Sequence, residues 1–253
     1  MKAKFKIMAM IDVQNEKEFH NKIFENNQRK DLDIYYDFAQ YIYNNFHSSI
    51  TNAVGSNSYV LEYGCGMNSY INTLASNTKH RYSFDISEFA IEHNSKHFPE
   101  TKYTVADAHQ LNIYENNFFD VVYGTSILHH LDLKIALPEI ERITKPGGEI
   151  IFLEPLGHNY FINQFRNKTP EQRTSDEHPL LMKDIQLIEK YFSLEATRYY
   201  CLFPLFVFGI FKEKAPKNFF KIAIKADAVA FKIFPFLRRY AWIVVLKGRK
   251  RGK

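Results

Sequence analysis

Between residues 59 and 153, short apolar runs alternate with stretches of helical periodicity, and this alternation constrains the fold more than any other feature. The runs Tyr59–Tyr63, His80–Phe84, Lys102–Val105, Phe119–Tyr123 and Glu149–Leu153 read as strands. Ser69–Ala75, Glu88–His97 and Leu133–Ile143 read as the helices between them. Strands and helices alternating at this spacing build a parallel sheet joined by right-handed crossovers. The expected fold is therefore α/β and Rossmann-like. Upstream, a short helix within residues 1–30 and a second from Asp31 to Phe46 precede a turn at 54–58. Downstream of Glu154 the rhythm breaks. A helix at Met182–Tyr191 and strand-like Phe192–Phe203 and Ala241–Lys247 frame an oily, basic segment, 204–238. These features divide the chain into a helical cap (1–50), a core (51–155) and a C-terminal part (156–253) that adds two insertions and the last two strands.

The first strand runs into Gly64-Cys65-Gly66. Glycines here let the backbone turn sharply and approach a ligand, and in an open α/β sheet the crevice at the carboxyl ends of the strands is the binding site. Asp85 ends the second strand 21 residues beyond Gly64, the distance at which a carboxylate reaches ribose hydroxyls. Asp107 ends the third strand on the same edge. Each aspartate taken singly could be a helix cap; the three strand ends together point to a nucleoside-bearing cofactor. A nicotinamide fingerprint would need a third glycine where the chain has Ser69.

The segments Val60–Gly66, Phe84–Ser87, Ala106–Ala108, Phe119–Tyr123, Ile127–Leu131 and Lys145–Gly148 together resemble class I S-adenosylmethionine-dependent methyltransferases of the small-molecule type, near quinone-methylating enzymes. The region after the fifth strand is similar to methyltransferases of bacterial surface-polysaccharide pathways. The resemblance implies a seven-stranded, mostly parallel sheet in the order 3-2-1-4-5-7-6, with helices on both faces and the last strand antiparallel. It implies S-adenosyl-L-methionine as cofactor and S-adenosyl-L-homocysteine as product. Glu62, Gly64 and Gly66 would border the methionine part, Asp85 the ribose, Ile86 the adenine face, and Asp107 and Ala108 the adenine edge. Gly124, Thr125 and Ser126 would lie near the reactive methyl. The family has a third glycine where this chain has Asn68; a left-handed asparagine would preserve the turn.

Candidate bases for a hydroxyl acceptor are His129 or His130 after the fourth strand, His158 after the fifth, and His178 in the loop at 173–179. Either member of the His129–His130 pair could instead pack or cap. No His/Cys spacing along the chain suggests a metal. The Asn/Asp-Pro-Pro-aromatic motif of nucleobase amino methylation is absent after the fourth strand, so nucleic acid is not the expected acceptor. The expected reaction is O-methylation of a sugar, phosphorylated sugar or phosphate-derived group of a capsule or cell-surface glycan precursor. A quinone or lipid acceptor at the membrane and a non-catalytic cofactor-binding subunit are the alternatives.

Charge bears on the second alternative. Residues 212–253 carry thirteen Lys and Arg against Glu213 and Asp227, a net of +11, so the remainder carries −6. Within 216–234, Lys217, Lys221, Lys225 and Lys232 form one helical stripe and Phe219, Ile222, Ala223, Ala226, Val229, Ala230 and Ile233 cover another. A basic stripe beside an oily one suits an anionic membrane surface; a lid or a dimer interface is the competing expectation. Two cysteines, far apart, build no disulfide scaffold, and a cytoplasmic location is the default expectation, with a place peripheral to the inner membrane face as the alternative.

Overall fold

The computed structural model describes residues 12–26, 33–169, 174, 177–211 and 217–251. Two helices, α1 (Val13–Asn26) and α2 (Asp33–Ala53), lead into a sheet. Its strands are β1 (Tyr59–Tyr63), β2 (His80–Asp85), β3 (Lys102–Val105), β4 (Phe119–Thr125), β5 (Thr144–Pro155), β6 (Phe192–Leu194), β7 (Arg198–Tyr200) and β8 (Ile243–Lys250). The helices α3 (Glu88–His97), α4 (Leu133–Ile143), α5 (Tyr160–Lys168), α6 (Met182–Tyr191), α7 (Phe203–Phe211) and α8 (Lys217–Ile233) complete it. The strand order is β3-β2-β1-β4-β5-β8-β6, with β1 to β5 parallel and β8 antiparallel to β5. This is the expected order. The strand count is eight rather than seven, because the segment read as one strand at 192–203 breaks after Leu194, and Arg198–Tyr200 pairs separately with β8.

Two apolar layers sandwich the sheet. Leu61, Tyr63, Val122 and Phe152 face α4 and α6 on one side, while Val60, Val121, Tyr123 and Ile151 face α2 on the other. The alternation within each strand is what a sheet covered on both faces requires. Local rules place the helix ends. Ser87 caps α3 by accepting the Ala90 N–H, and Asp132 caps α4 by accepting that of Lys134.

Four further expectations change. The stretch after the glycine turn is a 3₁₀ helix, Ile71–Ser76, instead of Ser69–Ala75. The helix begun in the thirties continues to Ala53, with Phe46 and Ile50 fully buried. A helix not expected from sequence, α5, starts at Asn159, whose side chain accepts the N–H groups of Phe161 and Ile162. Pro146-Gly147-Gly148, expected as a turn ahead of a strand at Glu149, instead lies inside β5 as a bulge, between the Phe119–Thr144 and Val121–Glu149 pairings.

The C-terminal helices are fastened by one carboxylate. Asp227 of α8, buried, accepts the N–H groups of Leu202 (3.1 Å) and Phe203 (2.8 Å), which open α7. Burial raises its pKa, against the pull of these amides. Asp227→Ala strips two buried donors of their partner, so urea unfolding should show a loss of about 1–3 kcal/mol, with Asp227→Asn losing less.

Candidate active site

The carboxyl edge of the sheet assembles the cofactor candidates. Gly64 and Gly66 both adopt left-handed backbone, φ +72° and +51°. A side chain on Gly64 would strike Ile127 at 2.8 Å. Asn68 is not among the described residues with positive φ, so the turn forms without the left-handed asparagine. Asp85 spans the turn instead: Oδ2 accepts the Gly66 N–H at 2.8 Å and Oδ1 that of Ser87 at 2.9 Å. It is not a helix cap, since Ser87 holds that position. Asn94 of α3 donates to the Gly66 carbonyl at 2.7 Å.

Glu62 is fully enclosed between β2 and β4, paired with Ser83 and Tyr123. It accepts the Tyr70 N–H at 2.8 Å and the Ser69 hydroxyl. Burial pushes its carboxyl up to about 7, against the lowering effect of these hydrogen bonds. Asp107, partly exposed, accepts both the backbone N–H of His109 (2.9 Å) and a ring contact from it (2.8 Å), and this contact holds its pKa low despite burial. Ala108 is buried with its carbonyl taken by the Tyr63 hydroxyl at 2.6 Å. Ile86 and Thr125 are half-buried at the same edge, and Gly124 is pressed between Phe152 and Ile127. Two left-handed glycines over a carboxylate-lined strand end fit the methionine and ribose ends of S-adenosylmethionine.

The candidate bases separate. His158 accepts the Met182 N–H through Nε2 at 3.2 Å and caps α6, and burial, with Arg239, lowers its pKa. That ring nitrogen already holds a backbone partner, so His158 would have to release Met182 to act as the expected base. His178 is exposed, but its backbone N–H donates to the His129 carbonyl at 2.9 Å, which ties its loop to the end of β4; residues 173, 175 and 176 of that loop lie outside the described residues. His129 is buried. Burial, then the neighbouring His130, depress its pKa far below normal, and its Nδ1 shares a hydrogen bond with Glu154 at 2.8 Å. Glu154 also accepts the N–H groups of Ile127 and Leu128, each at 2.9 Å, and burial raises it to about 7.

His130 is met by α1. Its Nδ1 lies 3.1 Å from Glu16 Oε2, and His20 Nε2 lies 3.4 Å from the same oxygen. Glu16 is buried at 5% exposure, and its other oxygen accepts the Thr174 hydroxyl. Burial pushes the Glu16 carboxyl up, but contacts with His130 and His20 outweigh it and hold the group well below the carboxylate range. Glu177, paired with Arg166 at 2.8 Å, completes the wall. The helix reaches the glycine turn too. Phe24 lies 3.4 Å from where a Gly66 side chain would begin, Asn21 contacts the Ser87 hydroxyl, and Lys17 pairs with Glu88 at 2.6 Å. Sequence analysis missed Glu16, His20, Glu154 and Glu177. An acidic residue ending the apolar run of β5 was the one local sign, for Glu154.

Glu62 generates a pH prediction. A folded pKa raised above the unfolded value gives stability that is present at low pH and lost as pH rises through the folded value. The stability of the wild type relative to Glu62→Gln should therefore fall between about pH 5 and about pH 8, read by thermal unfolding at each pH.

Comparison with known proteins agrees with this geometry. Residues 61–152 match the family model described as a methyltransferase domain. A sarcosine/dimethylglycine N-methyltransferase of Halorhodospira halochloris is 31% identical over 120 residues, which are 43% of this chain and 42% of that protein. The match thus spans less than half of the curated relative. The N-methyltransferase NodS of Bradyrhizobium japonicum WM9, solved with S-adenosyl-L-homocysteine, superposes with TM-score 0.62 at 13% identity, covering 94% of this chain and all of that one. Phosphoethanolamine N-methyltransferase 2 of Haemonchus contortus gives 0.59 at 17% identity, over 92% of this chain and 60% of that one. Such distant structures establish the fold, and the matched segment covers the strands that carry the glycine turn and Asp85. The segment that matches the methyltransferase-domain model thus runs from β1 into β5, through the five parallel strands of this chain.

Proposed function

We propose that the protein transfers the methyl group of S-adenosylmethionine to a hydroxyl of a polar acceptor, a sugar or phosphorylated sugar of a bacterial surface-glycan precursor. The observation that carries this reading is the meeting of Glu16 and His20 with His130 over the carboxyl edge of the sheet. Bound there, the cofactor supplies an electrophilic methyl on a sulfonium. The chain's own task is to orient an acceptor oxygen, exclude water and take its proton. Helix α1 closes the site, and the Glu16–His130 pair offers a place for that proton. Glu16, Glu154 and Glu177 make this wall acidic, so the reacting end of the acceptor is neutral or cationic and any phosphate lies away from it. An amine acceptor, the class named for the curated relative and for NodS, would use the same wall.

A second reading, a lipid or quinone acceptor reached at the membrane, has its own support. Around α8, Phe219, Ile222, Val229 and Ile233 are exposed and fall within one arc of about 80°. Exposed Lys221, Lys225 and Lys232 fill the neighbouring arc, while Ala223, Asp227 and Phe231 face inward. The side chain of Lys217 lies outside the described residues. No helix among the described residues is long and apolar enough to cross a membrane.

Asp85→Ala should abolish tight S-adenosylmethionine binding in calorimetry while circular dichroism stays native; unchanged affinity would remove Asp85 from the cofactor site. Label transferred from methyl-labelled cofactor in a cell extract should enter the polar or polysaccharide fraction. Label in the lipid fraction would move the membrane reading to first place, and cofactor binding without transfer to any fraction would favour a non-catalytic subunit.

A further inference from the structure

Two buried polar atoms at the proposed acceptor site are left without a hydrogen bond. Glu16 Oε2 and His130 Nδ1 lie 3.1 Å apart, but not in hydrogen-bonding alignment, and neither has another hydrogen-bonded partner among the described residues. The two residues are 5% and 8% exposed, so water does not freely solvate them. A buried carboxylate oxygen held by contacts with two histidines but by no aligned hydrogen bond is a feature that native structures rarely leave unexplained. His20 Nε2 converges on the same oxygen at 3.4 Å, and all three ligand atoms lie within 4.8 Å of one another.

We infer that Glu16, His20 and His130 bind a divalent transition-metal ion of the Zn²⁺ type. Nitrogen and carboxylate ligands at about 2.0–2.1 Å in a tetrahedron are spaced about 3.3 Å apart, and the observed edges from Glu16 are 3.1 and 3.4 Å. Glu16 and His20 stand one helical turn apart on α1, the spacing that puts two ligands on one face. The Thr174 hydroxyl on the other Glu16 oxygen is the outer contact that orients a metal-bound carboxylate. Two imidazoles and one carboxylate select a borderline ion over Mg²⁺ or Ca²⁺, which prefer all-oxygen ligands. Three protein ligands leave the fourth position for an oxygen of the acceptor, whose proton the ion makes easier to lose to water; the Glu16–His130 pair would take that proton only in the metal-free site. The ion also joins α1 to the end of β4, so it would hold the closed form of the site. The acceptor's place at the ion rests on the proposed reaction; the ion's binding does not.

The test measures metal apart from turnover. Purified protein titrated with Zn²⁺ against a competing chelator should bind one ion per chain, and Co²⁺ in its place should give the intense visible bands of four-coordinate cobalt. Glu16→Gln, which keeps the side chain's shape, and His20→Asn should each weaken Zn²⁺ more than about a hundredfold, and Thr174→Val by about 10–100-fold. The His93–His97 pair on α3, half-buried and exposed respectively, is a competing surface site, with ring centroids 4.3 Å apart. Binding that survives Glu16→Gln and disappears in His93→Ala/His97→Ala would overturn the inference. So would cobalt with six-coordinate, aqueous-like bands. Normal cofactor affinity with no bound metal would also overturn it while leaving the transfer reaction standing, with His130 acting directly as base. Metal bound as predicted, with no methyl transfer to any acceptor, would uphold the site and sink the proposed reaction.

Discussion

The buried carboxylate of Glu154 organises the active edge of this protein. It sits at the end of β5 and makes three hydrogen bonds, with the N–H groups of Ile127 and Leu128 and with the ring of His129. Those contacts fold the segment after β4 into a single 3₁₀ turn, Leu128–His130. One side of that turn packs Ile127 against Gly64, and the other presents His130 to α1. The glycine turn and the contact of His130 with α1 therefore share one anchor. A carboxyl pushed up to about 7 by its burial is tolerated there because each of its oxygens is hydrogen-bonded.

Helix α1 works in the opposite sense, from outside. Its ties are individually small: an ion pair at Lys17, an amide at Asn21, a ring at Phe24 and the polar contacts of Glu16. They are spread over the glycine turn after β1, the start of α3, the turn after β4 and Thr174, so no single contact fixes the helix. Elements tied by dispersed polar contacts open at lower cost than a packed core, which suits a helix that must admit and release ligands.

Much of this was legible in the sequence, and the rest was not for identifiable reasons. The limits of α3, α4, α6, β1 and β3 follow from apolar spacing and caps within each segment. The glycine turn, Glu62 and Asp85 could be read because the chemistry lies within a few residues of a strand end. Helix α5 escaped because its apolar residues point outward: Tyr160, Phe161 and Phe165 are more than half exposed, and only Ile162 is buried. The break after Leu194 is set by pairing with β8, whose partner residues lie some fifty positions onward. Glu16 and His20 sit in a polar stretch more than a hundred residues from His130, and nothing local marks them as its partners. The contact of His158 was equally hidden: its place after β5 is local, but the N-terminus of α6 that its ring nitrogen meets, beside the Asp184 cap on Leu181, lies more than twenty residues on.

The position of β8 has a consequence for how the molecule is made. Residues 243–250 enter between β5 and the short strands β6 and β7, antiparallel to all three. On a ribosome, β5 is complete some ninety residues before its neighbour emerges. In that interval its edge offers unpaired amides and carbonyls, while α7 and α8 have no completed sheet to pack on. Such an open edge is a template for pairing with another chain, and contacts this distant in sequence form late. The nascent protein thus passes through a long adhesive stage, and synthesis speed and chaperone supply would govern its yield more than the stability of the finished sheet.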